Sequence, residues 1–525
     1  MRRQVHDLVA EAAMARPGAP AVTAKDVTVC YEQLWRDVRG FGAGLTRLGL
    51  RRGDRVAVYL DKRIETVVAL FGTSAAGGVF VPVNPLLRPG QVGYIASDCG
   101  ARVLVTSPDR LALLRDELDE CKSVEHVVLA GPDPAGTAIE PGARYTVSSW
   151  PAPGVTGLSP DPGGIDADMG AILYTSGSTG RPKGVVLSHR NLIAGAESVS
   201  LYLGNTPDDV ILAALPVSFD AGFSQLTTAF SAGAHVVLMN YLLPADVVRL
   251  CARHRVTGLT CVPPLWIQIA DQEWPAEAAR HLRYFANTGG RMPKATLDRL
   301  RTLFPGAAPY LMYGLTEAFR STYLDPAEVD RRPDSIGKAI PNAEILVVRS
   351  DGSLCDAGEQ GELVHRGALV AMGYWNDAER TAERFRPAPA RDPGLCSAET
   401  AVWSGDMVVR DGDGFLYFVG RKDEMIKTSG YRVSPSEIEE VAYDTGLVRD
   451  AVALGVDDAR LGQHVVLVVS PAAGSDTADV DGLLTRMKKA LPAYMLPRRV
   501  EVRAEIPRSP NGKFDRARLR EELAS

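Results

Sequence analysis

The chain has 525 residues, more than one hydrophobic core usually supports, so we expect at least two domains. Hydrophobic residues make up 46% and charged residues 23%, an ordinary globular balance, and the net charge of -6 argues against nucleic-acid binding, which requires a basic surface. No run of about 18 apolar residues and no signal-peptide core is present, so we expect a cytoplasmic protein without a membrane span. The seven scattered cysteines predict reduced, buried thiols.

Helical and strand patterns alternate through the first part of the chain. An amphipathic pattern at residues 5–17 predicts a helix that ends at Pro17. Apolar runs predict strands at residues 54–60, 101–107 and 125–131, and residues 65–83 predict a helix that runs into a strand. This alternation indicates an α/β fold with largely parallel sheets.

The pattern of predicted elements changes further along the chain. Residues 131–170 are rich in proline and glycine and predict a surface loop. Short strand patterns separated by Asp-Gly pairs predict β-hairpins between residues 340 and 420. Helix patterns at residues 434–446 and 479–491, with two strands between them, then predict a small α+β unit. We therefore predict a large domain at residues 1–420 and a small domain at residues 421–525.

The strongest local signal is the segment YTSGSTGRPKG at residues 174–184, which follows an apolar strand pattern. Backbone N–H groups and hydroxyls of a loop rich in Gly, Ser and Thr can surround phosphate oxygens, and Lys183 adds a positive charge. The spacing is not that of a Walker A loop. Taken alone, the segment also fits a flexible surface loop.

This segment resembles the phosphate loop of the adenylate-forming superfamily, which includes acyl-CoA synthetases, adenylation domains of peptide synthetases and luciferases. Four further segments resemble family motifs in the family order: YGLTE at 313–317, SGD at 404–406, GRKDEMIK at 420–427 and PNGK at 510–513. The resemblance covers essentially the whole chain. It implies a large domain with mixed and parallel sheets and a hairpin-rich subdomain, followed by a small mobile α+β domain.

The resemblance also implies the reaction and the groups that bind ATP and Mg²⁺. A carboxylic acid would be joined to AMP and then passed to a thiol. Lys513 would bridge the substrate carboxylate and the phosphate, Thr316 would contact the α-phosphate, and Glu317 would ligate Mg²⁺. The β- and γ-phosphates would be held by Thr175, Ser176, Gly177, Ser178, Thr179, Gly180 and Lys183.

The same resemblance assigns the nucleoside site and the hinge. Gly289, Gly290 and Tyr313 would form the adenine slot, and Asp406 and Arg421 would bind the ribose. Asp423 would be the hinge about which the small domain turns. Each residue also has an ordinary interpretation: Asp406 as a turn residue, Arg421 as a surface charge and Tyr313 as part of the core.

The acyl substrate is read from residues 215–225, which contain Phe219 and Asp220. In the amino-acid-activating branch of the family, an aspartate at this place binds the substrate ammonium. Ligases for fatty or aryl acids usually lack it, because an unpaired buried carboxylate is costly. The alternative is that Asp220 caps a helix. The remaining wall positions are Ser224, Leu265, Trp266, Thr288, Met312, Arg320 and Ser321.

Residues 313–322 and 427–440 further resemble two groups of stand-alone ligases, the prolyl–carrier-protein ligases and the exosortase-associated AMP-forming ligases. We therefore expect an amino-acid substrate, with L-proline the best single guess. An AMP-forming acyl-CoA ligase for a fatty or aryl acid is the alternative. Arg320 would favour an acidic or β-amino acid if it entered the pocket, but we expect it to face outward.

The acceptor thiol is expected on a separate partner, because no phosphopantetheine attachment motif follows Lys513 in this sequence. A carrier protein that bears phosphopantetheine is the first candidate, and free CoA is the second. Nucleic acids and membranes are not expected as partners. Intact Lys513 and Glu317 argue against a non-enzymatic relative that only binds nucleotide.

Overall fold

The structure is a computed structural model, and it describes residues 1–131, 144–150, 163–175, 182–240, 243–389, 394–421, 424–428, 431–458, 462–472, 477–491, 493–509 and 512–524. These residues contain three β-sheets with helices packed on them. Two sheets are built from residues up to Arg421, and the third is built from residues after it. The expected α/β fold with a large N-terminal domain and a smaller C-terminal domain is confirmed, while a boundary at residue 420 stays a prediction.

The described residues form fifteen α-helices. They are α1 (Asp7–Ala15), α2 (Tyr31–Arg47), α3 (Ile64–Ala75), α4 (Pro89–Asp98), α5 (Pro108–Glu120), α6 (His189–Tyr202), α7 (Asp220–Ala232), α8 (Pro244–His254), α9 (Pro263–Ala270), α10 (Ala276–Ala279), α11 (Lys294–Leu303), α12 (Ala378–Arg384), α13 (Pro435–Asp444), α14 (Val480–Ala490) and α15 (Arg516–Ala524). Short 3₁₀ turns occupy Thr316–Ala318, Pro326–Glu328 and Ala493–Met495.

The first sheet has eight strands. They are β3 (Arg55–Val58), β4 (Val79–Pro82), β5 (Ala101–Thr106), β6 (His126–Leu129), β7 (Thr146–Ser149), β8 (Met169–Thr175), β9 (Lys183–Ser188) and β19 (Gly373–Tyr374). Their spatial order is β19-β9-β8-β4-β3-β5-β6-β7, and β8, β9 and β19 pair antiparallel at one edge. The strands predicted at residues 54–60, 101–107 and 125–131 are all present.

The prediction of a surface loop at residues 131–170 is wrong in part. Strand β7 lies within this stretch and pairs in parallel with β6, and β8 begins at Met169. A short strand at the edge of a sheet is paired on one side only and needs no apolar run, so its sequence signal is weak.

The second sheet has fourteen strands, of which thirteen run in the order β17-β18-β21-β22-β16-β15-β14-β13-β12-β10-β11-β1-β2. They are β1 (Pro20–Ala24), β2 (Val27–Cys30), β10 (Val210–Ala213), β11 (His235–Leu238), β12 (Gly258–Cys261), β13 (Tyr284–Asn287), β14 (Ala308–Tyr313), β15 (Thr322–Leu324), β16 (Ser335–Ala339), β17 (Ala343–Val348), β18 (Gln360–Gly367), β20 (Phe385–Pro387), β21 (Thr400–Arg410) and β22 (Leu416–Arg421). Antiparallel pairs β17–β18 and β21–β22 confirm the hairpin-rich segment.

The third sheet, in the C-terminal part, has five strands. They are β23 (Ile426–Thr428), β24 (Tyr431–Val433), β25 (Val448–Asp458), β26 (Gly462–Pro471) and β27 (Arg499–Val502). Helices α13 and α14 cover one face, with Ile438 and Met487 wholly buried against it. The predicted small α+β unit is therefore present.

Aromatic packing joins the first two sheets and positions α7. The ring of Phe223 in α7 lies 6.0 Å from Phe71 of α3 and 5.0 Å from Phe80 of β4, centroid to centroid. All three side chains are fully buried. Burial of side chains this large contributes roughly 1.5–3 kcal/mol each. The first residue of α7, Asp220, is thus carried on a helix that the core holds in place.

A buried lysine also connects the two sheets. Lys62 follows β3, and its ammonium donates to the backbone carbonyls of Ala213, Ala214 and Leu215 at 2.7, 2.8 and 3.1 Å. Its own backbone N–H and C=O bond the side-chain amide of Asn240. Three donors therefore meet three acceptors, which satisfies a cation that burial otherwise disfavours. The contact holds the segment that leads into α7.

The parallel order of β10, β12, β13 and β14 decides where the site lies. Their carboxyl ends lie along one edge, and ligands of open α/β sheets bind outside such ends. The connections after β10, β13 and β14 carry Asp220, Thr288 and Thr316 respectively. No helix in the described ranges is both long and apolar enough to cross a bilayer.

Candidate active site

The side chains predicted to bind the nucleoside meet between β14 and β21. The Tyr313 hydroxyl donates a hydrogen bond to Asp406 Oδ2, and Arg421 Nε lies 3.5 Å from Asp406 Oδ1. Burial raises the pKa of Asp406, while the charges of Arg421 and Lys513 oppose that rise. Asp406 Oδ1 accepts no hydrogen bond from the residues that the structure describes. A buried carboxylate oxygen in this state fits a hydroxyl donor such as ribose.

The predicted adenine slot lies beside the C-terminal part of the chain. Gly289 has φ +77, and a Cβ there would lie 3.1 Å from Val262 Cγ1, so a side chain is disfavoured for two reasons. Asn287 Nδ2 donates to the Gly290 carbonyl at 2.7 Å. A Cβ on Gly512 would lie 4.0 Å from the other methyl group of Val262. The segment with Lys513 therefore approaches the same place.

One further contact joins the two parts of the chain. Arg291, which follows Gly290, forms an ion pair with Asp334 at 2.5 Å and a second with Glu440 of α13. Lys513 itself is exposed, and its positive charge acts on Asp406. Helix α13 and the segment around Gly512 thus both approach the predicted nucleoside site, while the role of Lys513 stays a prediction.

The residues predicted for phosphate and metal form a triad with an unpredicted tyrosine. Lys183 Nζ lies 3.1 Å from Glu317 Oε1 and 2.9 Å from the Tyr374 hydroxyl, which itself donates to Glu317 Oε1 at 2.6 Å. Burial favours a high pKa for Glu317, but the Lys183 charge and the Tyr374 hydrogen bond outweigh it, so the pKa is lowered. The carboxylate is therefore ionised, as a ligand of Mg²⁺ must be.

Tyr374 is a functional candidate that the sequence analysis missed. It lies on β19, which pairs with β9 so that Tyr374 stands opposite Val185, two residues after Lys183. The signal in the sequence was the Gly373-Tyr374 pair. In the structure φ of Gly373 is +129, and a Cβ on this residue would collide with Thr381. A glycine with such constraints before an aromatic residue indicates a fixed strand position.

Part of the predicted phosphate loop and the hinge fall outside the described residues. Ser176, Gly177, Ser178, Thr179 and Gly180 are among them, as is Asp423. Their assigned roles stay predictions. Thr175 is described, and its buried hydroxyl has no hydrogen-bond partner among the described residues, which fits a phosphate acceptor.

Asp220 contacts two residues of the segment after β14. The Thr316 hydroxyl donates to Asp220 Oδ1 at 3.2 Å, and Arg320 Nη1 lies 3.2 Å from Oδ2. Asp220 is the first residue of α7, and the N-cap position is occupied by Phe219, so the alternative that Asp220 caps the helix is wrong. The expectation that Arg320 faces outward is also wrong, because the residue is 2% exposed.

A strained turn explains why Arg320 points inward. Phe319 has φ 57 and ψ -56, and the Arg320 N–H donates to the Ala318 carbonyl at 2.6 Å, which is a γ-turn with positive φ. Such a turn is rare and strained for a residue with a side chain. The ring of Phe319 is fully buried against Gly195 of α6, where any Cβ would collide with it. Packing therefore holds the turn.

Arg320 closes a small cavity behind Asp220. The cavity measures about 20 Å³, and Ser224, Met312 and Arg320 are the predicted wall residues that line it. Arg320 Nε is buried and has no hydrogen-bond partner in the described part of the chain. The Tyr202 hydroxyl donates to Met312 Sδ at 2.9 Å. The space is therefore partly polar and about large enough for one water molecule.

The other predicted wall residues do not line this cavity. Trp266 is fully buried, its Nε1 donates to the Ala286 carbonyl at 3.2 Å, and its ring contacts Phe285 edge-on. The Ser321 hydroxyl bonds His365 Nδ1 at 2.9 Å. Of the rest, Phe219 is the N-cap of α7, Leu265 lies in α9 and Thr288 follows β13.

Comparison with known proteins accounts for this arrangement. The AMP-binding enzyme family matches residues 9–375, and the AMP-binding enzyme C-terminal domain matches residues 437–513. The chain belongs to the AMP-binding enzyme family. An AMP-binding enzyme of this kind is an adenylate-forming ligase that uses ATP.

Two curated relatives and one solved structure illustrate the range of this family. An L-proline–[L-prolyl-carrier protein] ligase of Streptomyces coelicolor is 34% identical over 515 residues, covering 95% of this chain and 93% of that protein. A long-chain-fatty-acid–CoA ligase of Salmonella typhimurium is 29% identical over 549 residues, covering 98% and 94%. ATP-bound MatB from Rhodopseudomonas palustris has a TM-score of 0.84 at 26% identity, covering 99% of both chains.

Proposed function

We propose that this adenylate-forming ligase activates an α-amino acid, with L-proline the best candidate, and transfers it to the phosphopantetheine thiol of a separate carrier protein. The observation that carries the proposal is the 3.2 Å contact between the Asp220 carboxylate and the Thr316 hydroxyl. Thr316 is expected at the α-phosphate, where the substrate carboxylate attacks. An ammonium bound by Asp220 would therefore lie next to the reacting carboxylate, as it does in an α-amino acid.

The nucleotide would be bound by groups already described. Asp406 would accept hydrogen bonds from the ribose hydroxyls, and Thr175 and Lys183 would bind the β- and γ-phosphates. Lys513 would neutralise charge that develops as the carboxylate attacks the α-phosphate. Glu317 would hold Mg²⁺, which would offset the charge of the phosphates when bound. Lys183 must leave Glu317 for this to happen.

Two features support a compact secondary amine. Thr316 and Arg320 already occupy one lone pair on each oxygen of Asp220, and an ionised carboxylate has about four such positions. A secondary ammonium has two N–H donors, and the two positions that remain can accept both of them. The relative at 34% identity is named as a ligase for L-proline.

A long acyl chain fits the site less well. The relative at 29% identity is named as a ligase for long-chain fatty acids and CoA. In this chain the charged Arg320 side chain lines the small cavity behind Asp220. An apolar chain there would also leave a buried ion pair without its polar surroundings, which is unfavourable.

The buried arginine favours one second candidate, an acidic or β-amino acid. Arg320 Nε has no described hydrogen-bond partner and could receive a second carboxylate of the substrate. However, Nη1 of the same group is already engaged by Asp220. The panel that follows separates the two candidates.

Acid-dependent ATP–pyrophosphate exchange tests the proposal. We expect L-proline to give the highest rate in a panel with L-glutamate, β-alanine, benzoate and palmitate. A higher rate with palmitate or benzoate contradicts the amino-acid assignment, and a higher rate with L-glutamate or β-alanine selects the second candidate. The acceptor is then tested by mass spectrometry of a holo carrier protein and, separately, of CoA, each incubated with enzyme, ATP and the best acid.

A further inference from the structure

The recognition residue Asp220 is already neutralised in the protein. Arg320 Nη1 lies 3.2 Å from Asp220 Oδ2, and the side chains are 3% and 15% exposed. Within the described part of the chain, neither Asp220 nor Arg320 forms an ion pair with any other residue. The Arg320 charge also acts on Tyr202, but burial raises the pKa of Tyr202, so its phenol is neutral. The net charge of the pair is therefore zero.

The backbone next to Arg320 is strained in the conformation that forms this ion pair. The γ-turn at Phe319 turns Arg320 into the pocket, and Gly195 leaves room for the Phe319 ring. Gly314 also permits the approach, because a Cβ there would lie 3.0 Å from Arg320 Cα. Strained backbone persists where the surrounding structure enforces it, and such sites are often functional.

The charge of a buried site decides which substrates it accepts. A lone buried aspartate would favour substrates with net positive charge, and a lone buried arginine would favour plain carboxylate anions. A neutral Asp220–Arg320 pair disfavours both cationic and anionic substrates, because each would add an uncompensated charge to the site. A zwitterion adds its ammonium beside Asp220 and its carboxylate beside Thr316, and the total stays zero.

We propose that Arg320 is a specificity-determining residue that keeps the recognition site neutral, so that the enzyme selects zwitterionic amino acids over anionic and cationic analogues. This inference rests on the proposed amino-acid activity. Asp220 reads the ammonium, and Arg320 prevents Asp220 from retaining cations or favouring substrates with an extra amine. Removal of the Asp220 carboxylate and removal of the Arg320 guanidinium should therefore shift the substrate preference in opposite directions.

Three substrates of similar shape test this. Cyclopentanecarboxylate carries net charge -1, L-proline carries zero, and trans-4-amino-L-proline carries +1 near neutral pH. We expect Asp220→Asn to shift kcat/KM toward cyclopentanecarboxylate, relative to L-proline, by at least about tenfold, the scale of one charged hydrogen bond. We expect Arg320→Met to shift it toward trans-4-amino-L-proline by a similar factor. Arg320→Lys keeps the charge and should retain the wild-type order.

The controls separate this inference from folding and from the proposed function. The exposed pair Arg253–Asp26, 2.7 Å apart, provides Arg253→Met and Asp26→Asn, which should change neither ratio. In urea unfolding, the Asp220→Asn/Arg320→Met double variant should lose less stability than the sum of the single variants, because each single change leaves one buried charge unpaired. If wild type activates no amino acid, both proposals fail. If it activates L-proline but the two single variants shift the preference in the same direction or not at all, only this inference fails.

Discussion

Lys183 Nζ lies 3.1 Å from Glu317 Oε1, so the predicted phosphate lysine and the predicted metal ligand are bonded to one another. The Tyr374 hydroxyl bonds both of them, and the Lys183 ammonium lies 4.3 Å from the centre of the Tyr374 ring. Binding of MgATP by the proposed route must exchange the Lys183–Glu317 contact for phosphate and metal contacts. Tyr374 can hold Glu317 in place during that exchange.

Tyr374→Phe removes one hydrogen bond to Glu317 and one to Lys183. We expect KM for MgATP to rise by about tenfold, since each hydrogen bond to a charged group contributes about 1.5–3 kcal/mol and the phosphates replace part of the loss. KM for the amino acid should stay within about twofold, since Asp220 is untouched. Pyrophosphate exchange at varied MgATP and varied free Mg²⁺ measures this. A rise in the amino-acid KM alone would place Tyr374 in a different role.

Adenylation is expected to depend on Lys513. Its ammonium acts on the buried Asp406 from the C-terminal part of the chain, at the edge of the predicted nucleoside site. Lys513→Ala should reduce the adenylation rate by at least about 10²-fold, the scale for one preorganised donor to developing charge. Lys489→Ala, on the exposed side of α14, is the matched control and should be near wild type. Near-normal pyrophosphate exchange by Lys513→Ala would refute the assignment.

Gly195 is expected to control the amino-acid site from a distance. A methyl group at this position would overlap the ring of Phe319, so the γ-turn that orients Arg320 must move. Gly195→Ala should raise KM for the amino acid by about tenfold or more and destabilise the protein by about 1–3 kcal/mol, the usual range for overpacking. Gly40→Ala is the matched control, because a Cβ there meets no atom within 4 Å. Equal changes in the KM values for ATP and amino acid would contradict a specific effect on Arg320.

The buried His189 should make the fold sensitive to acid. Burial lowers its pKa from 6.5 to about 4, and its Nδ1 accepts a hydrogen bond from the Val5 N–H at 3.2 Å. The unfolded state therefore binds a proton at higher pH than the folded state, so stability is full above about pH 6.5 and is lost as pH falls toward 4. His189→Asn should reduce this loss in urea titrations between pH 7 and 4. An unchanged pH dependence of the unfolding free energy in His189→Asn would contradict the assignment of this acid sensitivity to His189.

Local motifs in the sequence selected residues that the structure places close to one another. Tyr313 ends β14, Glu317 lies in the turn after it, and Asp406 lies within β21; strand patterns and motif spacing are both short-range signals. Short-range patterns also predicted helix α13 and the long strands β25 and β26 of the C-terminal part. Whether these residues perform the roles predicted for them is decided by the experiments above.

Features that depend on packing between distant segments were not predictable. The inward direction of Arg320 depends on the γ-turn at Phe319, which depends in turn on Gly195 in another helix. Tyr374 reaches Lys183 only because β19 pairs with β9. Trp266 was expected in the pocket, yet its indole is hydrogen-bonded in the core beneath. Sequence spacing carries no information about such contacts until the fold is known.

The rates of the wild-type enzyme with L-proline and with cyclopentanecarboxylate decide whether the substrate needs an amine. The two acids have nearly the same shape, but only proline has the amine that Asp220 is proposed to bind. A site built to bond that group should reject the analogue without it, and we expect kcat/KM in pyrophosphate exchange to favour L-proline by at least about 10³-fold. Equal activity with the two acids, or a preference for cyclopentanecarboxylate, would contradict the claim that this enzyme activates an amino acid through Asp220.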